Sequence, residues 1–232
     1  MFFVGEGLLA PALSALGLTL LILLGILMTF LTSFLLSKTV LRGEPSSFTL
    51  ELPPYRRPQI GKVLVRSIFD RTLFVLGRAV AVAAPAGLVL FLLANVQLGG
   101  ISLLSHLSGA LDPFARLFGM DGVILLAFIL GFPANEIVLP IIVMAYLMEG
   151  SLGDLGSLTA LRELLVQNGW TETTAVSVML FSLMHWPCST TCLTIKKESG
   201  SWKWTALSVV VPAIAGFSLC FLWNTLASLF LS

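Results

Sequence analysis

The stretch "GVILLAFILGFPANEIVLPIIVMAYLM", residues 122–148, is long and apolar enough to cross a membrane, yet it is interrupted in its middle. Gly131, Pro133 and Pro140 cannot all sit in one regular helix without kinks. A proline removes a backbone donor, crowds the carbonyl one turn back and pushes the preceding residue out of the α region. Asn135 and Glu136 add an amide and a carboxylate where the segment should be most apolar. A second stretch, "TTAVSVMLFSLMHWPCSTTCLTI" at 173–195, is broken in the same manner at Pro187. "GFPANE" and "HWPCST" both read aromatic, proline, small residue, polar groups.

Composition sets the class in which these breaks must be understood. Of 232 residues, 57% are hydrophobic and 11% charged, too few charges to cover a soluble domain. Leu8–Leu36, Ala79–Leu98 and Trp204–Ser232 carry no charge at all. A bilayer core takes about 20 apolar residues per helix, so each run can span. Strand-like alternation is absent, and helices satisfy their own backbone in lipid. The expected fold is an all-α polytopic membrane bundle of about five hydrophobic segments, two of them Pro-broken or re-entrant. The N-terminus lacks a basic n-region and its apolar run exceeds a signal peptide's, so Leu8–Leu36 is read as a retained span.

Three regions follow: a first transmembrane helix within 1–36, a cytoplasmic loop with an interfacial helix at 37–73, and a transmembrane domain over 74–232. Net charge is +1, but seven of the thirteen basic residues (Lys38, Arg42, Arg56, Arg57, Lys62, Arg66, Arg71) lie between two spans. The positive-inside tendency makes that connection cytoplasmic, with headgroup contact rather than nucleic acid as its use. Pro45, Pro53, Pro54 and Pro58 prevent a single helix there. Beyond Pro58, Ile60, Val63, Leu64, Ile68 and Phe69 oppose Lys62, Arg66, Asp70 and Arg71, as in a helix lying along the interface. Short helices at the outer face are expected over 99–121, with His106 solvated or capping. "LTALRELLVQNG" forms a helix inside the polar connection 150–169.

Irregular backbone at membrane depth survives only against protein or a wet cavity, and paired broken segments point to a transporter's binding site. Two plain packing kinks are the competing reading. Glu136 is either a protonated acid bonded to a neighbouring helix or a cation ligand or proton carrier, since a charge there costs about 3 kcal/mol. Cys188 follows Pro187 and falls at the first turn of a new helix, where unpaired N–H groups make an electropositive setting. Ser189 and Thr190 cap that helix or offer oxygens. Cys192 lies a turn further on, but Cys-x₃-Cys without a second pair is weak evidence for structural zinc, and adjacent turns strain a disulfide. Cys220 reads as packing, and His185 as a core or capping residue when taken alone. Oxygen plus sulphur, with histidine or hydroxyl nearby, suits a borderline ion such as Fe²⁺ better than Mg²⁺ or Na⁺.

At these residues the sequence resembles a known family. "ELPPYRRP" at 51–58, "GFPANEIVLPIIVMAYL" at 131–147 and "HWPCSTTCLTIKKESGSWKW" at 185–204 are similar to the C-terminal membrane part of the FeoB ferrous-iron transporters of bacteria and archaea. "WPCSTT" resembles the second gate motif, with its cysteine at Cys188, and "PANEIV" a segment with its glutamate at Glu136. The resemblance implies a non-enzymatic permease part in the cytoplasmic membrane, with Fe²⁺ as transported ion and no permanently bound cofactor. Cys188 and Glu136 are the primary metal contacts expected, with Asn135, Ser189, Thr190 and His185 weaker. Partners are the lipid bilayer, a GTPase domain or N-terminal gate half, and a second copy of the chain. The sequence contains no Gly-x₄-Gly-Lys-[Ser/Thr] loop and no Gly-x-Gly-Cys-Asn-type first gate. Alone, the chain is therefore expected neither to hydrolyse GTP nor to form a complete path, as a truncated or split product or half of a permease. A non-transporting assembly subunit, or a nucleoside-recognition gate protein with an organic substrate, are the alternatives. Lys196, Lys197 and Lys203 want the cytoplasm but lie outside if 173–195 crosses as one kinked span. A hairpin folding back at Pro187 would return them.

Overall fold

The computed structural model describes residues 10–39, 59–66, 69, 72–147 and 158–230. Pro45, Pro53, Pro54 and Pro58, Arg42, Arg56, Arg57 and Arg71, Ile68 and Asp70, and the stretch 51–58 lie outside them, as does 148–157 of the polar connection. The chain divides into two compact units, meeting in sequence between Gly77 and Arg78.

In the first unit, α1 (Ala10–Thr39) is an uninterrupted 30-residue helix. At about 1.5 Å per residue it exceeds the roughly 30 Å hydrocarbon layer. Its surface is apolar and exposed, Phe30 at 71% among them. Its threonines turn inward on their own backbone, Thr19 donating to Ala15 O at 2.8 Å and Thr29 to Gly25 O at 2.9 Å, as hydroxyls facing lipid must. α2 (Ile60–Arg66) is a single short helix carrying exposed Lys62, Leu64 and Val65. α3 (Phe74–Asn95) starts in the first unit, holds Pro85 within its length and continues into the second.

The second unit opens with two paired two-residue strands, β1 (Gln97–Leu98) and β2 (Ile101–Ser102). Helix α4 (Leu103–Arg116) follows, with Ser102 as its N-cap. A single 14-residue helix thus stands where several short ones were expected. His106 is exposed, the solvated role read from sequence, with Nδ1 3.1 Å from Ser102 O.

Residues 122–147 fold as a re-entrant hairpin. α5 (Gly122–Leu130) ends at Gly131, a 3-10 turn covers Asn135–Ile137, and α6 (Val138–Leu147) returns. Pro140 sits in the first turn of α6, where a missing N–H is no loss. The two arms are nine and ten residues long, each about half the hydrocarbon thickness. Their outer ends meet. Asp121 caps α5 through Ile124 N–H at 2.7 Å, and the Tyr146 hydroxyl, near the end of α6, donates to the other oxygen of that carboxylate. Trp170 Nε1 donates to the Tyr146 hydroxyl at 2.8 Å, which ties the base of the hairpin to the start of α8. α7 (Leu158–Gln167) lies in the connection between them.

α8 (Glu172–Met184) and α9 (Ser189–Ser199) follow one another along α10 (Trp202–Phe230). The pairs run in order. Trp223 Nε1 donates to Thr173 O at 3.2 Å, Cys220 Sγ donates to Ser177 O at 3.4 Å, and Phe181 stacks on Phe217 at 4.8 Å. This segment therefore continues across instead of folding back at Pro187. Among the described residues, three helical stretches are long and apolar enough to cross a membrane: Pro11–Thr39, Glu172–Ser199 and Trp202–Leu229. Gly200, left-handed at φ 64°, ends α9, and Lys196 Nζ sits 3.7 Å over the Trp202 ring. Asp121, Tyr146 and Trp170 mark one end of the unit, and Lys196, Lys197 and Lys203 the other.

The core lies where α4, α5, α8 and α10 meet, around Phe128, Phe181, Ile124 and Cys220. Gly122 sets the approach of α4 to α5, because a Cβ there would lie 1.9 Å from the Ser108 carbonyl. Replacing Gly122 with Ala is expected to cost about 2 kcal/mol, measured as lowered thermal stability in detergent. Single cysteines at Asn168 and Ser228, with the natural cysteines removed, should be labelled from one side of an oriented membrane, and Ser199→Cys from the other. Labelling of Asn168→Cys and Ser199→Cys from the same side would refute the crossing of 172–199.

Candidate site where two broken segments meet

The break between α8 and α9 is local in origin. His185 N–H still closes on Phe181 O at 2.7 Å, after which Pro187 offers no donor and the backbone extends, His185 at ψ 173° and Cys188 at ψ 159°. Helix resumes at Ser189, with Cys188 as its N-cap residue. The cysteine side chain does not cap. Its sulphur lies 3.1 Å from Thr190 Oγ1 and 3.1 Å from Thr191 Oγ1, so two hydroxyls of the first turn face it. Cys192, buried, points its thiol back at Pro187 O, 3.6 Å away.

The break in 122–147 has the same cause and the complementary need. A continuing helix would satisfy Phe132 O from Glu136 N–H, and Pro133 together with the turn prevents it. That carbonyl accepts instead from Ser189 N–H at 2.8 Å, across 57 residues of chain. Ser189 Oγ adds a long contact to Pro133 O at 3.5 Å. The tip of the hairpin and the gap in the crossing segment are thus joined to each other. The first-turn amide of a helix has no partner within it, and the freed carbonyl takes it.

The residues singled out by sequence fall around this junction in different ways. Cys188 adjoins the joining residue, with Thr190 on its sulphur. Ser189 turns its hydroxyl toward the hairpin. Asn135 and Glu136 form the 3-10 turn just beyond the tip, and both are exposed. His185 is half-buried and directs Nδ1 at Ser182 O, 2.8 Å away. Cys220 is fully buried in packing. Among the described residues no three of His, Cys, Asp and Glu gather as a metal cage. Thr191 was not foreseen. Its signal was its place three residues after an N-cap, where first-turn side chains turn back toward the cap residue. The two peptide carbonyls, Phe132 O and Pro133 O, carry no signal in the sequence.

The junction is testable apart from any function. Proline is tolerated at the first position of a helix, and Cys188 already has the extended backbone that precedes a proline. Ser189→Pro therefore deletes the amide that reaches Phe132 O together with the long hydroxyl contact, and Ser189→Ala deletes the hydroxyl contact alone. Ser189→Pro is expected to lower stability by about 1–3 kcal/mol, whereas Ser189→Ala stays within about 1 kcal/mol of the wild type, both by thermal melting in detergent.

Known proteins resemble this chain over much of its length. A family described as "Ferrous iron transport protein B C terminus" matches residues 18–70. The chain is 34% identical over 218 residues to a Staphylococcus aureus protein named Fe(2+) transporter FeoB, covering 89% of this chain and 31% of that one. A Methanocaldococcus jannaschii protein of the same name is 25% identical over 221 residues, with the same shares covered. A Porphyromonas gingivalis fusion of Fe(2+) transport protein A with the Fe(2+) transporter FeoB is 23% identical over 253 residues, covering 89% of this chain and 30% of that one. The chain spans about a third of the length of these relatives. No solved structure matches it.

Proposed function

We propose, from the premise that this chain belongs to the FeoB family and matches its C-terminal part, that it is the membrane permease part of a ferrous-iron transporter. The relatives' printed names say that they transport Fe(2+); the extension to this chain rests on its own junction. The observation that carries the reading is the Ser189–Phe132 bond, which holds two helix breaks together within an apolar bundle beside a cysteine.

Fe²⁺ is the cargo, and the chain holds it with few ligands so that it can leave. Cys188 supplies sulphur and Glu136 a carboxylate, a pairing that suits a borderline divalent ion and serves Mg²⁺ or Na⁺ poorly. Asn135 and Thr190 offer oxygens beside them. Ser189 keeps the hairpin tip against the break and contributes less to the ion. GTP enters through the remainder of a longer protein, whose GTPase domain couples nucleotide state to the position of the hairpin. Passage then consists of parting the tip from the break, contact of the ion with sulphur and carboxylate, and closure behind it.

In the assembled transporter, Cys188→Ser and Glu136→Ala are each expected to lower Fe²⁺ uptake about tenfold or more, with the protein still reaching the membrane by surface blot. Wild-type uptake in both variants would sink the assignment of these contacts.

A further inference from the structure

Two buried nitrogens at the break have no hydrogen-bond partner, Nε2 of His185 and Nε1 of Trp186. A buried polar group left unpaired costs roughly 1–3 kcal/mol, so a phenylalanine would serve packing better. The setting of the His185 ring suggests why histidine is there. Nδ1 lies 2.8 Å from Ser182 O. A carbonyl only accepts, so Nδ1 carries the proton and Nε2 of the neutral ring is a bare lone pair. Metal-binding imidazoles are held in this way, one nitrogen donating to a carbonyl and the other turned to the ion.

The rings around His185 belong partly to the hairpin. The His185 ring packs against Phe128 of α5 at 5.4 Å, Phe181 of α8 at 6.2 Å and Trp186 at 6.2 Å. Phe128 is carried by the same arm whose tip bonds Ser189, so parting the tip from the break also draws back that ring. Trp186 can only donate a proton from its ring nitrogen, which removes it as a cation ligand.

We infer that His185 is a latent nitrogen ligand of the transported ion, pre-set by Ser182 O beneath Phe128 and presented through Nε2 when the hairpin moves. The inference rests on the ferrous-path reading and deepens it by adding a selectivity element. Imidazole nitrogen with thiol sulphur favours Fe²⁺, Co²⁺ or Zn²⁺ and discriminates against Mg²⁺ and Ca²⁺.

The test uses the purified chain in lipid nanodiscs with Co²⁺ as probe. A sulphur-to-cobalt absorption band that disappears in Cys188→Ser reports the sulphur contact. His185→Gln is expected to weaken Co²⁺ binding about tenfold or more. His185→Phe, which keeps the ring packing, should do the same while melting no lower than the wild type, and Mg²⁺ should not compete. Unchanged Co²⁺ affinity in both His185 variants would overturn the ligand role and leave the sulphur contact standing. Binding that depends on His185 but shows no sulphur band would uphold His185 and remove Cys188 from the path. A wild-type chain that binds no Co²⁺ would overturn the ligand assignment outright.

Discussion

The second unit turns on one backbone bond, from Ser189 N–H to Phe132 O. Each of two apolar segments is broken by a proline, and each break strands a peptide group that lipid cannot solvate. One break frees a carbonyl; the other starts a helix whose first amide has no acceptor. Joining them satisfies both groups at once, and that requirement fixes where the hairpin tip must lie. Cys188 sits beside the bond because it is the residue before the first helical amide, a position set by Pro187 and not by any metal.

The other constraint acts at the hairpin's base. Asp121, Tyr146 and Trp170 bring the start of α5, the end of α6 and the approach to α8 together. With 122–147 returning to the side it entered, the number of crossings before Lys196 changes by one. The conflict read from sequence, between a continuous 173–199 segment and lysines on the wrong side, then disappears without a fold-back at Pro187. The end that carries Lys196, Lys197 and Lys203 is then the one the positive-inside tendency would place in the cytoplasm.

Much of this was legible because prolines and uncharged runs act locally. The ends of α1 and α10, the break at Pro187, the helix start at Ser189 and the helix over 158–167 all follow from short-range rules. The choice between span and hairpin for 122–148 did not, since the same apolar length serves either. It is decided by a carboxylate and a phenol 25 residues apart, a tertiary pairing that periodicity does not encode. The partner of Ser189 was hidden for a related reason, being a peptide carbonyl available at every residue. Thr191 was overlooked beside Thr190, although both stand in the turn that faces the cysteine. Taken alone, His185 read as a core or capping residue, and by resemblance as a weaker metal contact; its unpartnered second nitrogen adds to the latter reading.

The two anchor points of the hairpin differ in strength, and that difference bears on how the junction can work. The tip is held by one peptide hydrogen bond and a long hydroxyl contact, and parting them in an apolar bundle frees peptide groups that only water or an ion can satisfy. The base carries a capped helix start and two side-chain bonds in series, one of them to a carboxylate, and charge-assisted bonds are about twice as strong. In the proposed passage the tip is the end that parts and the base is the pivot. The contacts proposed beside that tip, Cys188 and His185, offer a sulphur and an imidazole nitrogen, both softer donors than a carboxylate or hydroxyl oxygen. A tip that opens once water or an ion takes up the freed groups suits a gate, whereas a base as lightly bonded would let the whole hairpin leave the bundle. The distribution of hydrogen bonds between tip and base thus favours a hinged element over a pair of inert kinks.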